Sequence, residues 1–247
     1  MSGETAGQPL VEHLRDLRKR LFNSVLILII AMIGCYIFSD KLFEIIRAPI
    51  LPYLPEQGLV FTSPLDKFVA HLKIAFASGI ILSCPLWLYQ IWAFISPGLY
   101  KEEKKYALLF LGAGSLLFIL GVLFAYYFTL PLGLEFLMNF GGTTDKPMIT
   151  IDHYLGFFTQ ICLMFGLAFE LPLVITILGV IGVVSSKFLS EKRRFAIFFM
   201  SIFAALLTPP DVMSMSLMLV PLLILYEISI FIVRAFEKKR SKELEEI

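Results

Sequence analysis

KRRFAIFFMSIFAALL, residues 192–207, sets three consecutive cations in front of thirteen uncharged residues, Phe195 to Leu207. A helix needs about 20 mainly apolar residues to cross a bilayer, and a run of about 10–14 usually marks a re-entrant or interfacial piece. If this run spans, the chain crosses a membrane six times and its two ends share a side. If it does not, the crossings are odd in number and the ends are separated.

The rest of the chain answers that question. Of 247 residues, 58% are hydrophobic and 17% charged, with a mean hydropathy of +0.82, which excludes an ordinary soluble domain. Five further apolar segments stand at about 22–38, 68–94, 106–130, 153–184 and 212–233. Cytoplasmic flanks of membrane helices carry an excess of Lys and Arg. Here 16 of the 21 basic residues fall in alternate gaps: Arg15, Arg18, Lys19 and Arg20; Lys101, Lys104 and Lys105; Lys187, Lys192, Arg193 and Arg194; and a tail from Arg234 to Lys242. Both termini are therefore expected in the cytoplasm, the crossings are even, and 195–207 must span. Such a helix covers about 20 Å of a roughly 30 Å core, so its polar flanks must snorkel or the bilayer must thin beside it. The expectation is an all-α integral membrane protein, a single membrane domain over 1–247 with six transmembrane helices.

Between the spans, Leu10, Leu14, Leu17 and Leu21 recur at helical spacing among Glu12, Arg15, Asp16, Arg18 and Lys19. That pattern predicts an amphipathic helix at about 9–21, lying on the cytoplasmic surface and running into the first span. On the outer side, residues 39–67 begin with Ser39-Asp40 as a helix start and meet a stop at Pro49. A second outer cap covers 131–152, with a helix at 132–139 closed by Gly141-Gly142. The N-terminal apolar run begins only after a charged stretch and lacks a small-residue cleavage motif, so it does not read as a removable signal. Cys35, Cys84 and Cys162 lie inside spans and read as packing residues, without disulfide or metal spacing.

The chemistry starts from exclusions. There is no GxxxxGK[ST] phosphate loop, no HExxH and no GxSxG, and His13, His71 and His153 are scattered along span boundaries. No cofactor, metal, nucleic-acid partner or catalytic apparatus is expected. Glu170, in Phe169-Glu170-Leu171-Pro172, stands mid-span, where an ionised carboxylate costs several kcal/mol unless it reaches water or a partner. It reads as a polar contact or proton-coupled site facing a cavity, or as a protonated carboxyl hydrogen-bonded into packing. Glu227, in the cytoplasmic half of the last span, carries the same two readings. Asp16, Glu102 and Glu103 are acids on a cationic side. Held beside Phe94 and Tyr100, such a carboxylate grips a guanidinium bidentately and discriminates against lysine. From spacing alone, the stronger reading of Glu102 and Glu103 is charge balance with Lys104 and Lys105 at a helix start.

Four stretches, taken together, change that balance: 13–20 (HLRDLRKR), 92–103 (WAFISPGLYKEE), Phe169-Glu170-Leu171-Pro172 and Thr208-Pro209-Pro210-Asp211. In this order and among these spans, the sequence from about Leu10 to about Arg234 resembles the TatC family, the multispanning receptor of the twin-arginine protein translocase. The resemblance implies six helices in a concave, glove-like arrangement with both termini cytoplasmic, in a bacterial cytoplasmic (inner) membrane. It implies that Glu103 recognises the paired arginines of a signal peptide on folded cargo. Asp16 would be a second acid, where the family often has glutamate; Arg18 would hold the amino-terminal helix, and Phe94 and Tyr100 would shape the site. It places Glu170 on the concave membrane face, gives Pro49 and Asp211 outer-side structural roles, and sets Thr208 by the wall formed by the last two spans. There the single-span TatA- and TatB-like partners would dock, within a translocase holding several copies of the chain among membrane lipids and driven by the proton gradient. Two rival readings differ in class. A proton-coupled secondary transporter would use Glu170 at the midplane and needs paired broken helices in related halves, whereas a membrane enzyme needs a nucleophile and base that the sequence does not offer.

Overall fold

The computed structural model describes residues 8–54, 58–95, 107–140, 148–208 and 212–245, and these are helical apart from connecting turns and one isolated bridge, Val60 to Thr150. The amphipathic stretch and the first apolar run form one unbroken helix, α1 (Gln8–Ile37), whose one proline, Pro9, stands in the first turn where no intrahelical N–H is lost. After it come α2 (Ser39–Arg47) and a 3-10 turn, Leu51–Tyr53.

The segment read as one span at 68–94 is two helices, α3 (Asp66–Leu82) and α4 (Cys84–Ile95), bent by 56°. Pro85 causes the break: it has no N–H, and its ring clashes with a preceding carbonyl. Carbonyls freed inside a membrane must find other donors. The Trp87 indole donates to Ile80 O at 3.0 Å, while Gly79 O keeps the Ser83 N–H at 3.0 Å and takes the Ser83 hydroxyl as well at 2.6 Å.

α5 (Ala107–Phe124) passes through a π-turn, Ala125–Thr129, into α6 (Leu130–Asn139). The outer helix expected at 132–139 is thus a continuation of the third span. α7 (Ile151–Val180) carries Pro172 inside it. The short α8 (Ser186–Glu191), then α9 (Arg193–Leu207) and α10 (Val212–Glu245), complete the chain.

Four helical stretches are long and apolar enough to cross a membrane, Leu14–Ile37, Leu108–Asn139, Ile151–Val180 and Val212–Lys238, and the bent α3–α4 pair makes a fifth. α9 is 15 residues long, about 22 Å at 1.5 Å per residue, and falls short by length.

The core is organised around α7, which packs against α3, α5 and α10. Lipid tails are as apolar as leucine, so helices in a membrane associate through close packing of small residues. A Cβ on Gly121 of α5 would lie 2.6 Å from the Phe165 carbonyl oxygen of α7, and one on Gly166 would lie 2.8 Å from the Phe118 ring. The two glycines let the backbones of α5 and α7 approach.

Polar ties clamp the end where α1 finishes and α7 begins. The Tyr154 hydroxyl donates to Ile46 O at 2.6 Å and the Tyr126 hydroxyl to Ile45 O at 2.9 Å. Val60 N–H donates to Ile149 O at 3.0 Å and Ile151 N–H to Val60 O at 2.9 Å. Lys73 pairs with Asp152 at 2.5 Å.

Candidate functional site

Near the start of α1, Asp16 is half-buried and already holds a guanidinium: its Oδ2 accepts from Arg20 Nε at 2.8 Å. The i,i+4 spacing places the pair one above the other on the helix face. Arg18 is exposed. Leu14, Leu17 and Leu21 are exposed too, so no element among the described residues covers this part of the predicted apolar stripe.

α1 lies against α3 and α4. A Cβ on Gly79 of α3 would sit 3.0 Å from Met32 N of α1, which fixes where the two helices touch. From that contact, Asp16 lies about 24 Å back along α1, and Phe94 lies about 7 Å forward along α3 and about 15 Å further along α4, beyond the 56° bend. Asp16 and Phe94 therefore run to the same end of the molecule. Phe94 is half-buried in the last turn of α4. Trp92 stacks on Phe110 of α5 with ring centroids 5.5 Å apart and planes 2° from parallel, and the buried pair packs with Leu173 of α7. This stack holds together the two stems of the connection at 96–106. Tyr100, Glu102 and Glu103 belong to that connection and lie outside the described residues, as does Asp211.

Glu170 stands in α7 two residues before Pro172, and its Oε1 is buried without a hydrogen-bond partner among the described residues. A Cβ on Gly114 of α5 would come within 3.2 Å of Glu170 Oε2, so glycine there leaves the carboxylate its room. The Pro172 carbonyl takes hydroxyls from Thr176 at 2.9 Å and from Ser229 of α10 at 2.8 Å.

The remaining sites named from sequence are structural in their contacts. Pro49 is half-buried in the turn after α2, beside the buried Ile50. Thr208 is buried, and both its N–H and its hydroxyl donate to Ala204 O at 2.9 Å, closing the end of α9. Among the described residues, no group of three or more His, Cys, Asp or Glu side chains has the geometry to hold a metal ion.

Sequence reasoning missed a set of contacts between α10 and the corner formed by α8 and α9. The Tyr226 hydroxyl donates to Leu189 O at 2.9 Å, and Arg193 donates to Glu227 Oε2 at 2.7 Å. Glu237 accepts from Ser186 N–H at 2.9 Å and from the Ser186 hydroxyl. Glu227 was visible as an acid inside a span. Its partner was legible too, because Arg193 stands 14 residues before the end of α9 at Leu207 and Glu227 stands 15 residues after the start of α10 at Val212.

The family model described as "TatC: Sec-independent protein translocase protein (TatC)" matches residues 12–221. The Sec-independent protein translocase protein TatC of Desulforapulum autotrophicum is 39% identical over 247 residues, covering 100% of this chain and 92% of its own. The protein of the same name from Aquifex aeolicus is 40% identical over 236 residues, covering 95% and 98%. A crystal structure of the twin arginine translocase receptor TatC superposes with a TM-score of 0.78 at 40% identity, covering 91% of this chain and 99% of that one.

Proposed function

The chain belongs to the TatC family and is a core receptor component of the twin-arginine translocase rather than an enzyme; from this premise we propose how its residues perform that role. A folded cargo presents an Arg-Arg signal peptide at the cytoplasmic face. Its guanidiniums dock on Glu103 and Asp16, with Arg18 holding the amino-terminal helix and Phe94 and Tyr100 shaping the site. One observation carries this reading: Asp16 grips a guanidinium at 2.8 Å, at the end of the molecule to which α4 also leads. Arg20 occupies the place that an incoming arginine takes. Charge-assisted hydrogen bonds contribute about 1.5–3 kcal/mol each, enough for selective capture and weak enough for release.

The wider architecture belongs to the same proposal. The chain crosses the bacterial inner membrane six times, with α9 as the short fifth span and both termini cytoplasmic, as the distribution of its basic residues supports. The apolar part of the signal peptide lies along the concave face near Glu170. Single-span TatA- and TatB-like partners dock on the wall of α9 and α10, whose end Thr208 closes, while Pro49 and Asp211 hold the outer turns. The short α9 thins the bilayer locally and lowers the cost of moving a folded domain across. Several copies of the chain assemble in the translocase, and the proton gradient drives transport. Family membership replaces the secondary-transporter reading, and Glu170 keeps a role as a polar contact within the receptor.

The decisive experiment is binding of a labelled signal peptide to the purified protein in detergent, comparing Arg-Arg with Lys-Lys peptides and wild type with Glu103→Ala. Preference for Arg-Arg that disappears in the variant is expected. Equal binding throughout would return Glu103 to helix-end charge balance.

A further inference from the structure

α9 begins at a level where α10 is still apolar. From the end of α9 at Leu207, Arg193 lies about 21 Å back, and from the start of α10 at Val212, Glu227 lies about 22 Å forward. An antiparallel hairpin therefore brings the two side chains level, and they meet at 2.7 Å. Beyond Glu227, α10 stays uncharged through Val233 until Arg234, about 10 Å further along its axis. The charged head of α9, Lys192-Arg193-Arg194, is thus drawn about 10 Å deeper than the point where the flanking helix meets its own cations.

One face of α9 is packed against the protein, with Met200 and Ala204 buried in the core and Ala196 and Phe203 beside them, but among the described residues polar ties that would set its depth are few. Phe195, Phe198, Phe199, Ile202 and Leu206 are exposed, and an apolar stripe slides along the membrane normal without losing contact with hydrocarbon. The hydrogen bonds of Thr208 return to Ala204 within the same helix. Tyr226 and Glu237 tie α10 to α8, and Glu227 ties it to α9. In water a pair this exposed contributes little. Below the headgroups, each charge needs the other in order to stay.

We infer that the Arg193–Glu227 ion pair sets the depth of α9, and so fixes where the bilayer narrows beside the wall on which a single-span partner docks. The inference rests on the receptor reading above for its functional consequence, and on the geometry alone for the depth. Glu227 is a positioning residue in this scheme: it does not touch cargo. Without the pair, the three cations pull the head of α9 back toward the headgroups, and the wall loses its short step.

The test uses the full-length protein in lipid nanodiscs, with Cys35, Cys84 and Cys162 replaced by alanine and a nitroxide label on a cysteine at Phe199. Depth is read from collision with oxygen against collision with a water-soluble nickel chelate. Glu227→Ala and Arg193→Ala are each expected to move the label by about one helical turn, roughly 5 Å, toward water. Photo-crosslinking to the single-span partner is expected to fall about tenfold, while signal-peptide affinity stays within about twofold, because that site lies on other helices. The exchanged pair Arg193→Glu with Glu227→Arg is expected to restore both depth and crosslinking. Unchanged label depth in both single variants overturns the inference, as does an exchanged pair that leaves the label displaced. Glu227→Gln, which preserves side-chain volume, separates lost charge from lost packing and is expected to displace the label as well. A wild-type protein without preference for Arg-Arg peptides would sink the receptor reading and leave the depth result standing, so the two failures are distinguishable.

Discussion

α7 and α1 are each 30 residues long, and each carries an apolar stretch long enough to span. Half of the apolar window of α7 is buried in the protein, against 6% of that of α1. Hydropathy therefore does not separate inside from edge in this molecule. The separation lies in small residues and hydroxyls. α7 offers Gly166 to Phe118 and Thr176 to the Pro172 carbonyl, and it receives the Ser229 hydroxyl of α10 on that same carbonyl. α1 turns Phe22, Leu26, Ile29, Ile30 and Ile33 outward. Because lipid and side chain are equally apolar, close approach and buried polar contacts decide which helix stands at the centre.

The largest effect comes from closing the gap that lets α7 into the centre. Gly121→Leu places a side chain where a Cβ would already lie 2.6 Å from the Phe165 carbonyl oxygen, and backbone cannot yield as a flexible side chain does. A loss of about 3 kcal/mol is expected, read as a fall in the unfolding midpoint in mixed micelles. Gly34→Ala on α1, where nothing lies within 4 Å of the added Cβ, leaves the midpoint unchanged or raises it slightly. Equal losses at both glycines would erase the distinction between the two helices.

Tyr154→Phe tests the polar side of the same distinction. Its buried hydroxyl donates to Ile46 O at 2.6 Å and ties the first turns of α7 to α2. Its removal leaves that carbonyl short of a donor and is expected to cost about 1–3 kcal/mol, measured in the same unfolding assay. Signal-peptide affinity is expected to stay at the wild-type value, because the tie belongs to the opposite end of the molecule from Asp16.

What could be read without coordinates follows from the same physics. Spans announce themselves by composition, which is why α1, α5, α7 and α10 were all legible. A bend does not, since Ser83-Cys84-Pro85 interrupts an apolar run without changing its hydropathy; Pro85 was the available signal and was passed over. The π-turn at Ala125–Thr129 has no sequence signature at all, so α6 looked like a separate cap. Asp16 was identified as an acid for a guanidinium, yet Arg20, four residues on, was the resident partner and was readable from spacing. Arg193 and Glu227 were each noticed, but their meeting depends on the register of a hairpin, which emerges only when residues are counted from the turn in both directions.

On α1 the functional contrast is expected to exceed the structural one. Asp16→Ala removes one guanidinium site, and Arg-Arg peptide affinity is expected to fall about tenfold, a loss of about 1.4 kcal/mol. The unfolding midpoint should scarcely move, since an i,i+4 helix pair contributes about 0.3–0.5 kcal/mol. Arg20→Gln works in the opposite direction. By removing the internal competitor for Asp16, it is expected to raise Arg-Arg affinity about twofold, in line with the strength of such a pair. A fall in affinity would mean that Arg20 orients Asp16 instead of occupying it.

The smallest effect is expected where the apolar surface is largest. Ile29→Ala deletes a large side chain that is half-exposed on the outward face of α1. In water this would alter a hydrophobic patch; in a bilayer, lipid tails fill the space, so neither a cavity nor a transfer loss results. The expected change in unfolding free energy is below about 0.5 kcal/mol. Ile161→Ala, on the buried side of α7 at 1% exposure, leaves a hole that no lipid reaches and should cost about 2 kcal/mol or more. If the two truncations cost the same, α1 is covered by protein in the assembled membrane state, and a second chain packed along its outward face becomes the simplest cover. The size of that one difference therefore tells whether α1 is an edge against lipid or a seam between copies.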